Sequence, residues 1–278
     1  MKFPFSQAEK LALLCLGVSV ALLFFFRQFA FIPLVFFLCC CCVAPFLPRW
    51  GFFLPVISRG NAKSKGVALT FDDGPTPETT PLILKLLARH KYRATFFVVG
   101  EKAAKYPDLI CDILDDGHNI ANHSWKHDKL LMLRRRKALR HDIQKTQQQL
   151  ATLGIRPLLF RPPVGITNPL LKTVLEQQGM KTVTFSCRAF DGGNRRIQNL
   201  SQRIMKKIRH GDIVLLHDLP PVGAAVSQLQ RELDTLFAAL EKAGYGVVPL
   251  EGLIETPVCI KTGATQTSGK GNSGSFSS

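Results

Sequence analysis

The 278-residue sequence predicts an α/β fold: a parallel sheet closed or nearly closed into a barrel, preceded by an apolar N-terminal segment. Two observations predict this fold. Between residues 66 and 249, seven short apolar runs alternate with stretches whose apolar residues recur at helical spacing. No phosphate-binding glycine fingerprint follows the first run, which favours a barrel over an open nucleotide-binding sheet.

The N-terminal segment predicts a transmembrane helical hairpin. Residues 11–26 and 29–47 contain no charged side chain, and only Arg27-Gln28 separates them. A bilayer span needs about 20 apolar residues, so the whole stretch 11–47 is too long for one crossing. No small-residue cleavage site follows the first run, which argues against a cleaved signal peptide.

The charges that flank the hairpin predict its orientation. The flanking basic residues are Lys2, Lys10, Arg49, Arg59, Lys63 and Lys65. Two spans place all of them on the cytoplasmic side and leave only Arg27 outside, as the positive-inside rule favours. We therefore expect a multi-pass membrane protein with a domain that faces the cytoplasm. Trp50, Phe52 and Phe53 are then interpreted as an aromatic belt at the membrane interface.

The remaining elements follow in order along the chain. The strand candidates are 67–71, 95–99, 118–121, 158–160, 181–185, 212–216 and 246–249. The helix candidates are 79–89, 107–116, 134–153, 168–178, 197–209 and 226–243. From Gly263 the chain is mostly Ser, Gly, Thr and Lys, a composition typical of disorder. We divide the chain into a membrane anchor (1–59), a globular domain (60–255) and a tail predicted to be disordered (256–278).

Charge and cysteine content narrow the classes of partner and site. The formal net charge is +16, which suits an anionic membrane surface or a phosphorylated partner. No nucleic-acid recognition motif accompanies the charge, so nucleic acid is not an expected partner. Outside the apolar segment only Cys111, Cys187 and Cys259 remain, without CxxC spacing. This pattern argues against both a disulfide framework and a thiolate zinc site.

A pair of carboxylates ends the first strand candidate. Asp72 and Asp73 are followed at once by Gly74-Pro75, and Asp-Gly-Pro on its own is ordinary turn chemistry. A turn explains one aspartate but not two, because adjacent carboxylates repel each other unless a cation or a strong donor lies between them. The pair is therefore a candidate metal or catalytic site.

Two further candidates follow later strands. His123 and His127 are four residues apart, which predicts that they share one side of a helical turn and can bind one ion. Surface histidine pairs without a metal are also common.

Arg161 ends the fourth strand candidate, where Pro162 and Pro163 stop the strand. It is either an exposed loop arginine or, beside two carboxylates, a donor that orients one of them.

The last two candidates are Asp191, after the fifth strand candidate, and His217, at the end of the sixth. Taken alone, Asp191 is typical of a turn and His217 of a hydrogen-bonded core residue. However, all the candidates fall just past the carboxyl ends of predicted strands, the face on which active sites of (β/α) barrels gather. This convergence favours a metal site with acid–base groups.

Five segments, in this order, resemble the motifs of the polysaccharide deacetylase family, the NodB-homology domain of carbohydrate-esterase type. They are TFDDGP (70–75), HSWKH (123–127), RPPVG (161–165), the region of Asp191, and LLHD (215–218). The resemblance covers about 66–250. It implies a distorted (β/α)7 barrel and a metal-dependent hydrolase that cleaves the carbon–nitrogen bond of an N-acyl amino sugar.

The resemblance also implies roles for individual residues. Asp73, His123 and His127 would bind the metal, Asp72 would be the general base, and His217 the general acid. Arg161 would hold Asp72, Asp191 would tune the histidine, the backbone N–H of Val164 would stabilise the oxyanion, and Leu215 would line the acyl pocket. Two imidazoles and one carboxylate leave open positions on a divalent ion, as catalytic zinc requires. Cobalt, nickel and iron suit the same ligands.

Three positions depart from the family pattern. Val164 replaces a usual aromatic residue, Gly192 a common Trp beside the sugar, and Arg188 a residue that is often acidic. These positions shape sugar binding rather than bond cleavage, so the reaction class is kept. The missing Trp removes a stacking wall for a glycan chain, which argues against a polymer as substrate.

These observations predict a membrane-anchored, metal-dependent deacetylase acting on an N-acylated sugar that is lipid-linked or membrane-associated. Membrane lipids are expected partners. One alternative is a peptidoglycan or polysaccharide N-deacetylase on the extracytoplasmic side. Another is a non-enzymatic, membrane-bound saccharide-binding module that has lost catalysis.

Overall fold

The computed structural model describes residues 5–47, 49–61 and 64–261. The strands are β1 (Val56–Ile57), β2 (Gly66–Asp72), β3 (Ala94–Val98), β4 (Asn119–Asn122), β5 (Ile155–Pro157), β6 (Leu159–Phe160), β7 (Lys181–Val183), β8 (Cys187–Arg188), β9 (Ile213–His217), β10 (Gly246–Val247) and β11 (Cys259–Lys261). The helices are α1 (Gln7–Phe25), α2 (Ile32–Val43), α3 (Thr80–Arg89), α4 (Gly100–Lys105), α5 (Pro107–Asp115), α6 (Arg136–Thr152), α7 (Pro169–Gln178), α8 (Leu200–Met205), α9 (Val226–Lys242) and α10 (Leu250–Ile254). Lys2, Lys63 and the predicted tail from 262 lie outside the described residues.

The main sheet is parallel and curls into the predicted distorted barrel. Its strand order is β1-β7-β6-β4-β3-β2-β9-β8, and β10 pairs with β2 in addition. The barrel is left open between the edge strands β1 and β8. Each predicted strand overlaps an observed one, whereas β1, β5, β8 and β11 were not predicted because two or three residues are too few to show periodicity.

Burial explains why β2 lies at the centre of the sheet. All seven of its residues are buried, as is typical of a parallel strand covered on both faces. The helices that cover the sheet include the amphipathic α9, which buries Leu229, Leu233, Leu236 and Leu240 at helical spacing. Full burial of each such leucine stabilises the fold by about 1.5–3 kcal/mol. The helices therefore hold the sheet rigidly and leave the carboxyl ends of its strands to carry the site.

The N-terminal helices form the predicted hairpin, in which α1 and α2 lie against each other. By length and composition, Gln7–Phe25 and Arg27–Phe46 are each able to cross a membrane, a property that signal sequences share. A capping box at Ser6 and Glu9 begins α1. Glu9 also forms an ion pair with Lys172 of α7 at 2.7 Å, so the hairpin contacts the globular domain.

Three expectations about the ends of the globular domain are wrong. Phe52 and Phe53 are buried in a cluster with Phe160, not placed in a belt at an interface, since a large apolar side chain suits a core as well as lipid. The segment Val56–Ile57, assigned to the anchor, pairs with β7. In the predicted tail, Cys259–Lys261 pairs antiparallel with β5, so the ordered chain extends past residue 255.

Candidate metal centre and catalytic groups

Strand register brings the candidate residues to one rim of the barrel. Asp72 is the last residue of β2 and pairs with His217, the last residue of β9. His123 comes directly after β4 and Arg161 directly after β6, two strands that are also neighbours in the sheet. Because the strands are parallel, their carboxyl ends share a rim, and the candidates separated by up to about 150 residues line one pocket.

Asp73, His123 and His127 form a cluster with the geometry of a metal site. Their ligand atoms all lie within 4.8 Å of one another. The Oδ1 atom of Asp73 is 3.4 Å from Nε2 of His123 and 3.1 Å from Nε2 of His127. Nδ1–H of His123 donates to the carbonyl oxygen of Arg161 at 2.8 Å, which leaves the lone pair of Nε2 directed at the carboxylate.

The same cluster contains an orphaned polar atom that a cation would satisfy. Asp73 Oδ1 is buried and has no hydrogen-bond partner. A buried carboxylate oxygen that faces a lone pair is unfavourable unless a cation lies between them. Burial disfavours the charge on Asp73, but where no ion is bound a hydrogen bond from His123 and the charges of His123 and His127 outweigh it and hold the pKa of Asp73 below its usual value. One carboxylate and two imidazoles therefore fit a divalent ion.

The histidine pair reaches this position through a tight loop and not through the predicted helical turn. Ser124 and His127 both have positive φ, 72° and 53°. The N–H of Ser124 donates to the side chain of Asn122 at 2.8 Å, and the N–H of His127 donates to Oγ of Ser124 at 3.1 Å. The spacing of four residues brought the rings together, with centroids 4.9 Å apart, but by a different backbone path.

Arg161 is a fully buried cation that fixes Asp72. Its Nη1 donates to Oδ1 of Asp72 at 2.6 Å, and its Nη2 donates to the carbonyl oxygen of Thr184 at 2.9 Å. The guanidinium carbon lies 3.8 Å from the centre of the Phe97 ring. Burial lowers the pKa of Arg161, while Asp72 opposes the shift. The alternative of an exposed loop arginine is wrong, since Arg161 is 1% exposed.

We expect Arg161→Met to destabilise the protein by about 3–5 kcal/mol, because it leaves the buried carboxylate of Asp72 without its counter-ion. Denaturant unfolding of the full chain in detergent measures the loss. Arg161→Lys keeps the charge and is the matched control, with a smaller loss. Equal unfolding free energies for Arg161→Met and the native chain would show that this ion pair does not stabilise the fold.

His217, the predicted general acid, is hydrogen-bonded to Asp191, the carboxylate predicted to support it. Nδ1–H of His217 donates to Oδ2 of Asp191 at 2.7 Å. Burial opposes the charge on His217, but the hydrogen bond and charge of Asp191 prevail and raise the pKa of His217. Asp191 follows the unpredicted strand β8 and not the strand candidate 181–185, which ends at Val183. The position at the rim is nevertheless the expected one.

The raised pKa of His217 predicts a pH effect of Asp191→Asn. The carboxylate of Asp191 keeps His217 protonated up to a higher pH. Its removal lowers the pKa of His217, so the imidazole loses its proton at a lower pH. We expect the alkaline limb of the rate profile to move to lower pH and the rate at neutral pH to fall roughly 10- to 100-fold. Asp234→Asn, at a surface carboxylate on α9, is the control and leaves the profile in place.

Sequence reasoning missed three polar residues that hold the site. The side-chain N–H groups of Asn194 donate to the carbonyl oxygens of His217 at 3.1 Å and of Leu219 at 2.6 Å. Nζ of Lys102 donates to the carbonyl oxygen of Asp73 at 2.6 Å. Asp218 accepts hydrogen bonds from the hydroxyls of Thr79 and Thr80, and burial raises its pKa to about 6. Asp218 ends the LLHD segment but was assigned no role, and Lys102 and Asn194 carry no motif, because the partners of all three are distant in sequence.

The pocket has a volume of about 500 Å³, and both Val164 and Leu215 line it. Leu215 is nearly buried, whereas Val164 is 49% exposed at the mouth. Val164 has a φ of 52°, a left-handed conformation that is strained for a β-branched residue. Strain of this kind clusters at functional sites.

Comparisons with known proteins agree with this geometry. The polysaccharide deacetylase family model matches residues 59–183. A peptidoglycan-N-acetylglucosamine deacetylase of Bacillus cereus is 35% identical over 192 residues, which cover 68% of this chain and 88% of that protein. The peptidoglycan-N-acetylglucosamine deacetylase PgdA of Listeria monocytogenes is 34% identical over 191 residues, and the chain spans only 39% of its length.

A solved structure shares the fold. The crystal structure of the Bc1960 peptidoglycan N-acetylglucosamine deacetylase, in complex with 4-naphthalen-1-yl-N-oxidanyl-benzamide, superposes with a TM-score of 0.67. Its sequence is 32% identical, and the match covers 73% of this chain and 94% of that one. The matched part includes the barrel but not the whole chain.

Proposed function

The chain belongs to the polysaccharide deacetylase family, and on that premise we propose that it hydrolyses the amide bond of an N-acylated amino sugar with the help of a divalent metal ion. One observation carries this proposal: a carboxylate and two imidazoles with metal-ligand geometry lie in the same pocket as Asp72 and His217. A binding module without catalysis would not need an acid and a base on either side of such a cluster.

Asp73, His123 and His127 would hold the ion, with zinc as the first choice. When bound, such an ion polarises an acyl oxygen and acidifies water. The protein supplies the remaining chemistry. The backbone of Asp73 is held by Lys102, which donates to its carbonyl oxygen, and the ring of His123 is held by the carbonyl oxygen of Arg161. Both ligands are therefore preorganised before any ion or substrate arrives.

Asp72 would act as the general base. Arg161 occupies its Oδ1, which leaves Oδ2 to accept the proton of the attacking water. The guanidinium cannot rotate away, because Thr70 and Thr184 also hold it, so the carboxylate keeps one orientation. The backbone N–H of Val164 would stabilise the negative charge that develops on the acyl oxygen.

His217 would act as the general acid. Its Nδ1–H is committed to Asp191, so Nε2–H is the group free to donate a proton to the departing amine. Without this proton the nitrogen is a poor leaving group, and the addition of water would simply reverse. Leu215, which lines the pocket on the same strand, would bound the space for a small acyl group.

We propose that the substrate is a lipid-linked or membrane-associated saccharide and that the domain faces the cytoplasm. Two apolar helices next to the domain, the ion pair between Glu9 and Lys172, and the flanking basic residues support this proposal. The second candidate is a peptidoglycan deacetylase on the outer face, which is favoured by the names of the similar proteins. Reporters fused to the carboxyl terminus distinguish the two proposals. A reporter that is active only in the cytoplasm would support the lipid-linked substrate, and one that is active only outside the cytoplasm would support the peptidoglycan deacetylase.

The activity itself is tested with the full chain in detergent. The purified protein is stripped with a chelator, reloaded with zinc, and mixed with N-acetylglucosamine oligomers and with an N-formyl amino sugar. We expect release of acetate or formate only from the reloaded protein. Release from the stripped protein at the same rate, or no release from any N-acyl sugar at any metal load, would contradict the proposed function.

A further inference from the structure

Three cations line the pocket without an acidic partner. Lys129, Arg188 and Arg195 all border the cavity, and none takes part in an ion pair among the described residues. Lys129 and Arg195 are exposed at the rim, whereas Arg188 is half-buried. Like charges that border one cavity create a positive potential there, which attracts an anion.

The acids of the pocket cannot neutralise them, because each is already engaged. Asp72 pairs with Arg161 at 2.6 Å, and Asp191 pairs with His217 at 2.7 Å. Asp73 lies within 3.4 Å of the two histidine nitrogens at the candidate metal centre. The excess charge of the cavity is therefore positive, and a divalent ion would increase it.

Arg188 is the most buried member of the three. It belongs to β8 and pairs in register with Leu215, a residue of the pocket. Its guanidinium carbon lies 4.1 Å from the centre of the Phe190 ring and 5.1 Å from that of Phe185. The two rings restrict the guanidinium, and its N–H groups remain available to a planar or tetrahedral anion.

The cavity has room beside this arginine. Gly192 lines the pocket near Arg188, and a Cβ placed on it would meet no atom within 4 Å. No side chain therefore closes that part of the rim. A substituent of the sugar can extend there while the amide group remains at the metal centre.

We infer that Arg188, assisted by Lys129 and Arg195, binds an anionic substituent, a phosphate or a carboxylate, carried by the N-acyl sugar itself. This inference rests on the proposed function and specifies its substrate class as a charged amino sugar. Both groups present two oxygens to a guanidinium edge and form paired hydrogen bonds of the same kind. The nature of the anion is decided by the experiment and not by the geometry of one arginine.

The test compares deacetylation of three sugars by the zinc-loaded full chain. They are N-acetylglucosamine 1-phosphate, N-acetylmuramic acid and neutral N-acetylglucosamine. We expect kcat/KM for at least one charged sugar to exceed that for the neutral sugar by tenfold or more. A preference for N-acetylglucosamine 1-phosphate identifies the anion as a phosphate, and a preference for N-acetylmuramic acid identifies it as a carboxylate.

The ratio of charged to neutral kcat/KM is then measured in variants, so that a general loss of activity cancels. Arg188→Gln is expected to lower this ratio at least tenfold, and Arg188→Lys, which keeps the charge, to lower it less. Lys242→Gln is the matched control, because Lys242 is exposed at the end of α9 that precedes β10, far from the rim. This control leaves the ratio unchanged.

Three results separate the outcomes. A ratio near one in the native chain, or a ratio that Arg188→Gln does not change, overturns the inference while deacetylation of the neutral sugar upholds the proposed function. Inhibition of all three sugars alike by phosphatidylglycerol micelles, with no preference for a charged sugar in their absence, would assign the cations to lipid headgroups and overturn it as well. Hydrolysis of no sugar by the zinc-loaded chain overturns the proposed function itself.

Discussion

Replacement of His123 by alanine is expected to remove the bound metal and to lower deacetylation at least about 10³-fold. The metal contributes several kcal/mol to the transition state, and each 1.36 kcal/mol is a factor of ten in rate. His123 carries the most constrained of the three ligand atoms, since its ring is 2% exposed and is held through Nδ1 by the carbonyl oxygen of Arg161. Elemental analysis of the zinc-loaded full chain measures the metal content.

The control for this variant is His141→Ala, because His141 is an exposed histidine on α6 that lies outside the pocket. It is expected to retain one metal ion per chain and the native rate. Asp73→Asn provides a second variant of nearly equal shape and is expected to behave like His123→Ala. If either retained stoichiometric metal with full activity, the cluster would not be the metal centre.

Replacement of His217 by asparagine is expected to lower kcat about 10²- to 10⁴-fold while the metal content stays that of the native chain. His217 is not a member of the ligand cluster, and its ring nitrogen Nδ1 is engaged by Asp191. The substitution removes a proton donor without removing a ligand. KM is expected to change little, because the donated proton matters only as the carbon–nitrogen bond breaks.

A substrate with a better leaving group discriminates the acid role from a structural one. An activated N-acyl amine, which departs without protonation, is expected to recover much of the rate in His217→Asn and none in His123→Ala. Equal loss on both substrates would mean that His217 supports the fold or the metal centre and is not an acid. Thermal unfolding of both variants checks that neither has lost the native fold.

The positions of the catalytic candidates could be predicted from the sequence for a simple reason. A parallel sheet places every strand carboxyl end on one rim, so a polar residue just after an apolar run has a known location. Asp72, Arg161 and His217 illustrate this rule, although they lie on three different strands. The residues alone indicated that Arg161 could orient one of the two carboxylates. The choice of Asp72 and the pairing of Asp191 with His217 were expected from the family resemblance, and the structure places the atoms within hydrogen-bond distance.

The parts that could not be predicted depend on contacts between distant residues. Asp218 accepts hydrogen bonds from Thr79 and Thr80, which precede it by about 139 positions in the sequence. No periodic pattern of residues at either end of this contact predicts it. The loop that holds His127 uses a positive φ at Ser124, which the spacing of the histidines does not specify. Phe52 and Phe53 are apolar side chains that suit lipid and a protein core equally well, so the sequence does not decide between the two. Only tertiary packing places them in the buried cluster.

The central claim is that one carboxylate and two imidazoles hold a single divalent ion in the deacetylase pocket. X-ray absorption at the zinc edge of the reloaded full chain tests it most directly. We predict a first shell of nitrogen and oxygen atoms at about 2.0–2.2 Å with the multiple-scattering signature of two imidazoles. A shell that contains sulfur at about 2.3 Å, or one without imidazole, would contradict the assignment of Asp73, His123 and His127.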